Sequence, residues 1–315
     1  MKNKKMMIIG GTGALGKTLI KRYYRYNDIL VFSRDEHKQV KLKNIFGEVK
    51  YQIGDVKDKD SLLQAINEYK PDVIINTAAL KHVPICEENP YESVKTNIIG
   101  HRNLIDCVQL GNHQIETLIF ISTDKACKPI NVYGMCKAIS ERLYIDYANK
   151  QNKVKVVLCR YGNVLESTGS VIPFFKKLLE QGKTTLPITD KRMTRFTITL
   201  DESVELIDWA YNHKKSHGTI TVPKLKSMFI TDLAKVLGKK YGNGDIELEF
   251  VGIRPGEKLH EEMVSLEESL RSIESEKYFM ITDDVIHNEV FSFSSDKTVI
   301  SLDEIEPFLV EKGVM

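Results

Sequence analysis

The stretch that decides the fold reads Met6-Met-Ile-Ile9, then Gly10-Gly-Thr-Gly13-Ala-Leu-Gly16, then a helical pattern over Lys17–Tyr26. An apolar strand, a glycine-rich turn and a helix in this order are typical of the first unit of a doubly wound α/β sheet. The first glycine allows the tight turn, the middle one lets the backbone approach a ligand, and the last lets the helix pack on the strand.

The glycine spacing, G-x-x-G-x-x-G, is a variant of the fingerprint for dinucleotide binding. Unpaired N–H groups at the start of the following helix favour a negative charge, so a pyrophosphate would lie there. The predicted contacts in this turn are Gly10, Thr12, Gly13, Ala14, Leu15 and Gly16. A turn without a ligand is the alternative, and the strand before and the helix after it make that the weaker interpretation.

A second strand, Asp28–Ser33, leads directly into Arg34. At this place an acidic residue usually meets the ribose 2′-hydroxyl of NAD, whereas an arginine accommodates the 2′-phosphate of NADP. Arg34 therefore favours NADP, with Ser33, Asp35 and Lys38 as further contacts. The alternative is that Arg34 only opens a solvent-exposed helix.

Strands and helices alternate to about residue 160, which predicts a parallel, Rossmann-like doubly wound sheet. Further strands are expected at Lys50–Ile53, Val73–Asn76, Leu118–Ser122 and Val154–Cys159, and helices at Asp60–Tyr69 and Asn97–Leu110. Ligands bind beyond the carboxyl ends of the strands in such sheets. We assign residues 1–165 to an NADP-binding Rossmann domain.

The second half of the chain has a looser pattern. Helices near Val171–Gln181, Asp201–Asn212 and Thr231–Lys239 are mixed with strands near Thr219–Val222 and Ile246–Phe250. We expect residues 166–315 to form mainly a smaller, mixed α/β substrate-binding domain, with segments that can interleave with the first. The part after about Ser265 is expected to cover the surface.

A group of reactive side chains follows the fifth strand. Tyr133 and Lys137 are four residues apart and share one helix face. A lysine ammonium beside a phenol favours the phenolate, so Tyr133 is predicted to take a proton from a sugar or alcohol hydroxyl. Thr123 can hydrogen-bond the same hydroxyl. Asp124 and Lys125 add an acid and a base beside the hydride-transfer site, which indicates chemistry beyond simple oxidation.

Composition narrows the class of protein. The chain has 315 residues, 28% of them charged and 42% hydrophobic, with a formal net charge of +2. These values are ordinary for a soluble globular protein and give no reason to expect a nucleic-acid or membrane surface. The five cysteines lack the spacing of metal ligands, so no metal is expected. No apolar stretch approaches the ~20 residues of a membrane helix, and Met1–Lys5 leads straight into the first strand, so we expect a cytoplasmic protein.

With these motifs placed, the chain resembles the extended short-chain dehydrogenase/reductase superfamily. Within it, the chain is similar to the inverting UDP-N-acetylglucosamine 4,6-dehydratases of pseudaminic acid and related amino-sugar biosynthesis. The resemblance is nearly full length and is carried by residues 33–36, 78–84, 95–97, 122–126, 160–163, 169–175, 187–190, 192–196 and 252–262.

The resemblance implies a role for each matching position. Residues 10–16, Ser33 and Arg34 would hold NADP, Asp55 and Val56 its adenine, and Ala78, Ala79 and Lys81 its ribose and phosphates. Tyr133 would take the 4-hydroxyl proton, and Lys137 would lower the pKa of Tyr133 and bind the nicotinamide ribose. The nucleotide-sugar would be held by Lys81, His82, Asn163, Val171, Arg195, Arg254 and Glu257. Asn97 would brace the backbone beside the active site.

The implied activity is C4 oxidation of UDP-N-acetylglucosamine, elimination of water across C5 and C6, and return of the hydride to C6. Retaining dehydratases of the superfamily carry Asp-Glu after the threonine, so Asp124-Lys125 predicts inversion at C5. Lys125 can act as a base only if burial or a nearby cation such as Lys137 depresses its pKa. The resemblance also implies a homo-oligomer. A UDP-sugar 4-epimerase and a non-catalytic NADP-binding sensor are the alternatives.

Overall fold

The computed structural model describes residues 1–165, 169–242, 246–286 and 289–315. The strands are β1 Lys5–Ile9, β2 Asp28–Ser33, β3 Lys50–Ile53, β4 Val73–Asn76, β5 Thr117–Ile121, β6 Lys155–Cys159, β7 Asn163–Val164, β8 Thr185–Ile188, β9 Thr194–Ile198, β10 Ile220–Pro223, β11 Ser227–Phe229, β12 Glu247–Phe250, β13 Glu262–Val264, β14 Ser272–Glu274, β15 Tyr278–Ile281 and β16 Phe293–Ser294.

The α-helices are α1 Ala14–Tyr23, α2 Glu36–Lys43, α3 Lys59–Tyr69, α4 Val83–Glu88, α5 Pro90–Val94, α6 Gly100–Leu110, α7 Val132–Asn149, α8 Val171–Glu180, α9 Leu200–Asn212, α10 Ile230–Tyr241, α11 Leu266–Ser269 and α12 Leu302–Glu311. A π-helical turn covers Lys95–Ile99, and a 3₁₀ turn covers Asp124–Ala126.

The main sheet confirms the predicted doubly wound fold. Its strand order is β3-β2-β1-β4-β5-β6-β10-β15-β14. The strands from β3 to β10 run parallel, and β15 and β14 are antiparallel to their neighbours. Strands β4 and β5 are buried along their whole length, as expected for parallel strands covered by helices on both faces. The strand order reverses between β1 and β4, and that switch point is where such sheets bind ligands.

Two predicted helices begin at other residues than the sequence pattern indicates. Helix α1 starts at Ala14 rather than Lys17, because the glycine motif itself forms the first turn. The helix predicted from Asn97 becomes α-helical only at Gly100, after the π-helical turn. Strands β2, β3 and β4 have the predicted bounds.

The second half of the chain packs against the main sheet and also forms a separate core. Strand β10 pairs with β6, and helix α9 packs on the same sheet through Val204, Leu206 and Ile207. A separate core lies between α8, α10 and α12 and includes Phe175 and Leu237.

The expectation that the chain after Ser265 only covers the surface is wrong. Strands β14 and β15 extend the main sheet, and Ile281 is buried in its core. The apolar run Tyr278–Ile281 is only four residues long, too short to be distinguished from a surface segment by its periodicity.

A buried arginine at the end of β6 joins this last segment to α7. All five N–H groups of Arg160 are hydrogen-bonded. The guanidinium binds both oxygens of Glu141, at 2.9 and 2.7 Å, and both oxygens of Glu268, at 2.8 Å each. Its fifth bond, 2.8 Å, goes to the carbonyl of Met263. Glu141 also accepts a 2.6 Å bond from Ser122, at the end of β5.

We predict that Arg160→Met destabilises the protein by about 3–5 kcal/mol, because it leaves two buried carboxylates without their cation. The control is Arg102→Met, which removes an exposed arginine paired with Asp106 at 2.7 Å and should cost about 0–1 kcal/mol. The free energy of unfolding, measured in urea, compares the two variants. Equal losses would show that the Arg160 cluster has no special importance.

Candidate active site

One cavity of about 1210 Å³ lies at the carboxyl ends of β1, β2, β4 and β5. The predicted cofactor contacts along it are Gly10, Thr12, Gly13, Ala14, Leu15, Gly16, Ser33, Arg34, Asp35, Lys38, Asp55, Val56, Ala78, Ala79, Lys81, Tyr133 and Lys137. The predicted substrate contacts His82, Asn163, Val171, Arg195, Arg254 and Glu257 line it too, as do Thr123 and Lys125. Of the predicted site residues, Asp124 alone lies behind the cavity wall, and it is fully buried.

The glycine turn has the geometry that a dinucleotide requires. Gly10 has φ +76°, and a Cβ on it would lie 2.8 Å from the Cα of Ala78. A Cβ on Gly16 would lie 2.4 Å from the Cα of Gly11, so this position also excludes a side chain. Gly13 is the N-cap residue of α1, so no side chain at that position caps the helix. The first turn of α1 carries no acidic residue. The N–H groups there can therefore bind a pyrophosphate.

Several charged side chains lie at the end of β2, and their positive and negative charges nearly cancel. Arg34 lies 3.7 Å from Asp55, so its positive charge is partly compensated. Asp35, rather than Arg34, caps α2, by accepting a 2.9 Å bond from the backbone N–H of Lys38. That bond and the Lys38 ammonium hold the pKa of Asp35 below its usual range. Lys57 lies 3.6 Å from Asp55 and completes this corner.

Helix α7 places Tyr133 and Lys137 together in the cavity wall. Asn131 caps the helix by accepting a 2.7 Å bond from the N–H of Gly134. Lys137 donates a 2.6 Å bond to the carbonyl of Ile121 at the end of β5. Burial lowers the pKa of Lys137 to about 7.

The expectation that Lys137 brings the pKa of Tyr133 toward neutrality is wrong. Burial raises the pKa of Tyr133 to about 12, and the opposing influences are the charge of Lys125 and a hydrogen bond with Thr123. Lys125 is therefore a cation that favours the phenolate.

Lys125 is held by three side chains from different parts of the fold. Its Nζ lies 3.0 Å from Oδ1 of Asp124, 3.1 Å from Oδ1 of Asn163 and 3.3 Å from Oε1 of Glu261. Burial acts to lower the pKa of Lys125, but the two carboxylates outweigh it and raise that pKa. The condition set for Lys125 to act as a base, a depressed pKa, is therefore not met, because two carboxylates lie beside the ammonium. Burial raises the pKa of Asp124.

Glu261 is the cavity residue that the sequence analysis missed. It lines the cavity, and its side chain is 3% exposed. The string at residues 252–262 contains it, but nothing in the local pattern separates Glu261 from Glu262. The two differ in the structure, since Glu262 lies outside the cavity and pairs with Lys128 at 3.3 Å.

The opposite end of the cavity carries two arginines. Arg195, on β9, is not a surface charge: its side chain is 11% exposed, and it donates bonds to the carbonyls of Thr194 and Leu259 at 2.8 and 3.1 Å. Arg254 and Glu257 belong to one turn, closed by a 3.1 Å bond from the N–H of Glu257 to the carbonyl of Arg254. Both ends of that turn face the cavity.

The loop after β4 forms another wall. Burial lowers the pKa of Lys81. His82 packs against Gly169, where a Cβ would lie 2.6 Å from the imidazole. Asn97 braces this loop as predicted, because its side chain accepts from the N–H of Leu80 at 2.9 Å and donates to the carbonyl of Leu80 at 2.8 Å.

Residues 6–283 of the chain match a family model described as "Polysaccharide biosynthesis protein". The chain belongs to this family. Among the described residues of this family member, no helix is long and apolar enough to span a membrane, and no cluster of three side chains could hold a metal ion.

The relatives of this chain include dehydratases and epimerases of UDP-sugars. A UDP-N-acetylglucosamine 4,6-dehydratase (inverting) from Campylobacter jejuni is 44% identical over 293 residues, which cover 90% of this chain and 84% of the relative. A UDP-glucose 4-epimerase from Rickettsia felis is 38% identical over 292 residues, with the same coverage of each chain. The crystal structure of Pen from Bacillus thuringiensis has a TM-score of 0.91 and 30% identity, and covers 100% of this chain and 99% of its own.

Proposed function

We propose that this protein is a UDP-N-acetylglucosamine 4,6-dehydratase that inverts C5, a hydro-lyase. The product would be UDP-2-acetamido-2,6-dideoxy-β-L-arabino-hex-4-ulose. The observation that carries the proposal is that one cavity holds both a hydride-transfer pair, Tyr133 and Lys137, and an acid–base cluster built on Lys125. Dehydration needs both sets of groups, whereas simple oxidation needs only the first.

The proposed cofactor is NADP, which would accept the C4 hydride and return it to C6. The N–H groups of the turn from Gly10 to Gly16 would bind its pyrophosphate. Arg34 would bind the 2′-phosphate while it also pairs with Asp55. Lys137 would bind the nicotinamide ribose, and Asp55 and Val56 would contact the adenine.

Oxidation at C4 would rest on Tyr133 and Thr123. Tyr133 would take the hydroxyl proton, and Thr123 would orient that hydroxyl by a hydrogen bond. The nearby Lys125 charge helps this step, because it favours the ionised phenol.

Elimination would rest on the cluster of Lys125, Asp124 and Glu261. The ketone at C4 acidifies the C5 hydrogen, so one group must accept that proton and another must protonate the departing C6 hydroxyl. Lys125 faces the cavity as a protonated ammonium. Asp124 lies behind the cavity wall, so it would act on the sugar only through Lys125 or Thr123. After the hydride returns to C6, C5 must take up a proton, and its arrival on the face opposite to the one that lost the first proton gives the inverted product.

The nucleotide-sugar would lie across the cavity from the cofactor. Arg195 and Arg254 suit a diphosphate, because a guanidinium gives bidentate, charge-assisted hydrogen bonds. Glu257 would accept bonds from the uridine ribose. The sugar would meet Lys81, His82, Asn163 and Val171.

A UDP-sugar 4-epimerase is the second candidate, and the 38% identical relative from Rickettsia felis supports it. An epimerase needs Thr123, Tyr133 and Lys137 but no elimination groups. The Lys125 cluster has no task in that reaction, so we rank dehydration first. A non-catalytic sensor ranks below both, because the chain keeps Tyr133 and Lys137.

We place the reaction in the cytoplasm as part of the proposal. All five cysteines are free and buried, which suits a reducing compartment. A homo-oligomer, which the resemblance implies, stays a prediction.

Product analysis tests the function. Incubated with UDP-N-acetylglucosamine and NADP, the wild type should give a nucleotide-sugar lighter by one water, as measured by mass spectrometry. Tyr133→Phe should give none while still binding NADP. The control is Tyr147→Phe, on the same helix but outside the cavity, which should match the wild type. A product of unchanged mass with an inverted C4 would favour the epimerase.

The cofactor preference has its own test. We expect NADP to bind more tightly than NAD by about 1–3 kcal/mol, as for one charged hydrogen bond. Arg34→Ala should abolish the difference, measured by calorimetric titration of both cofactors. Arg22→Ala, outside the cavity, should keep it. Equal affinity of the wild type for both cofactors would contradict the role given to Arg34.

A further inference from the structure

Glu261 has an unusual environment for a carboxylate. Its side chain is almost fully buried, yet it faces the cavity. Its Oε1 lies 3.3 Å from Nζ of Lys125, whereas its Oε2 has no hydrogen-bond partner among the described residues. A buried polar atom without a partner is costly, so a functional reason for its position should be sought.

Three cations surround this carboxylate. Besides Lys125, the side chains of Arg195 and Lys258 each lie 4.0 Å from it. Burial acts to raise the pKa of Glu261, but the three positive charges outweigh it and hold that pKa below its usual range. Glu261 is therefore an anion in the cavity wall.

The groups facing Lys125 divide by sign. Asp124 and Glu261 favour its ammonium form, and Arg195 opposes it. Tyr133 is neutral while its pKa is about 12, and Asn163 contributes only its amide oxygen. Burial raises the pKa of Asp124. Asp124 and Glu261 are thus the two carboxylates that favour the ammonium form of Lys125.

We infer that Glu261 is a positioning residue for the elimination step: it anchors the Lys125 ammonium in the cavity wall and fixes how firmly that ammonium holds its proton. The inference rests on the proposed function, since elimination is the step that uses Lys125. Glu261 acts through Lys125. C4 oxidation by Tyr133 uses only the charge of Lys125, so below the Lys125 midpoint it does not depend on Glu261. Losing Glu261 should therefore change water loss and its pH dependence while leaving the first hydride transfer in place.

The first measurement needs no turnover. Protein labelled with ¹³C at the lysine ε-carbon is titrated by NMR with NADP bound, and the Lys125 signal is assigned from Lys125→Arg. In the wild type we expect the signal of an ammonium throughout the pH range in which the protein is folded. In Glu261→Gln the midpoint should move down by about one pH unit or more and enter that range, because one of the two carboxylates beside the ammonium has gone. Glu261→Asp keeps the charge and should behave like the wild type.

The matched control is Glu262→Gln, which removes the neighbouring carboxylate outside the cavity and should leave the Lys125 signal unchanged. If Glu261→Gln does not fold, Lys125→Met tests the same contact from the other partner. In Lys125→Met the Glu261 carboxylate loses a cation, so its titration, read from ¹³C-labelled glutamate, should move upward. An unchanged Lys125 signal in Glu261→Gln, or an unchanged Glu261 titration in Lys125→Met, would overturn the inference.

The second measurement separates the two chemical steps. Single turnovers at several pH values are followed by NADPH absorbance for C4 oxidation and by mass for water loss. In Glu261→Gln the pH profile of water loss should gain a limb at the new Lys125 midpoint, while NADPH formation at pH values below that midpoint keeps its wild-type rate. A merely structural role for Glu261 would slow both steps and shift neither profile, and that result would overturn the inference. A wild-type product that retains its water would overturn the proposed function instead, and the NMR result would stand.

Discussion

The fold around the candidate site depends on the buried pairing of Arg160 with Glu141 and Glu268. Arg160 ends a central strand, Glu141 lies on the helix that carries Tyr133 and Lys137, and Glu268 belongs to the C-terminal segment. The three side chains are buried and their charges compensate one another, so the three elements are held in one arrangement. Ser122 binds the same Glu141, which ties the strand end before Thr123 to the same cluster. The position of the reactive groups thus follows from the position of one guanidinium.

The cavity itself is organised by charge. The start of α1 offers N–H groups to the cavity, and Arg34 shares its charge with Asp55. Arg195 and Arg254 add positive charge to its lining. Lys125 lies beside two carboxylates, and Tyr133 and Lys137 are buried in the same cavity wall. Burial gives Lys137 a pKa of about 7, and the neighbouring anions keep Lys125 charged. Two lysines in one cavity therefore have different protonation behaviour.

Local features of this structure were predictable from the sequence, and long-range partners were not. The strands β2, β3 and β4 and the glycine turn follow from short apolar runs and glycine spacing, which depend on neighbours in the chain. The strands β14 and β15 were missed because four apolar residues among charges give no periodic signal. The raised pKa of Lys125 could not be predicted because it depends partly on Glu261, which reaches Lys125 from a distant part of the chain. Asp124 was expected beside the sugar, and adjacency in sequence did not reveal that its side chain points behind the cavity wall.

The stereochemistry at C5 tests the central claim most directly, because it depends on the Lys125 cluster and not on the dinucleotide fold. The reaction with UDP-N-acetylglucosamine is run in deuterated water and stopped at the earliest measurable times, and the product is examined by NMR. The account predicts solvent deuterium at C5 and proton couplings of the L-arabino configuration. A first product with the D-configuration at C5 would contradict it.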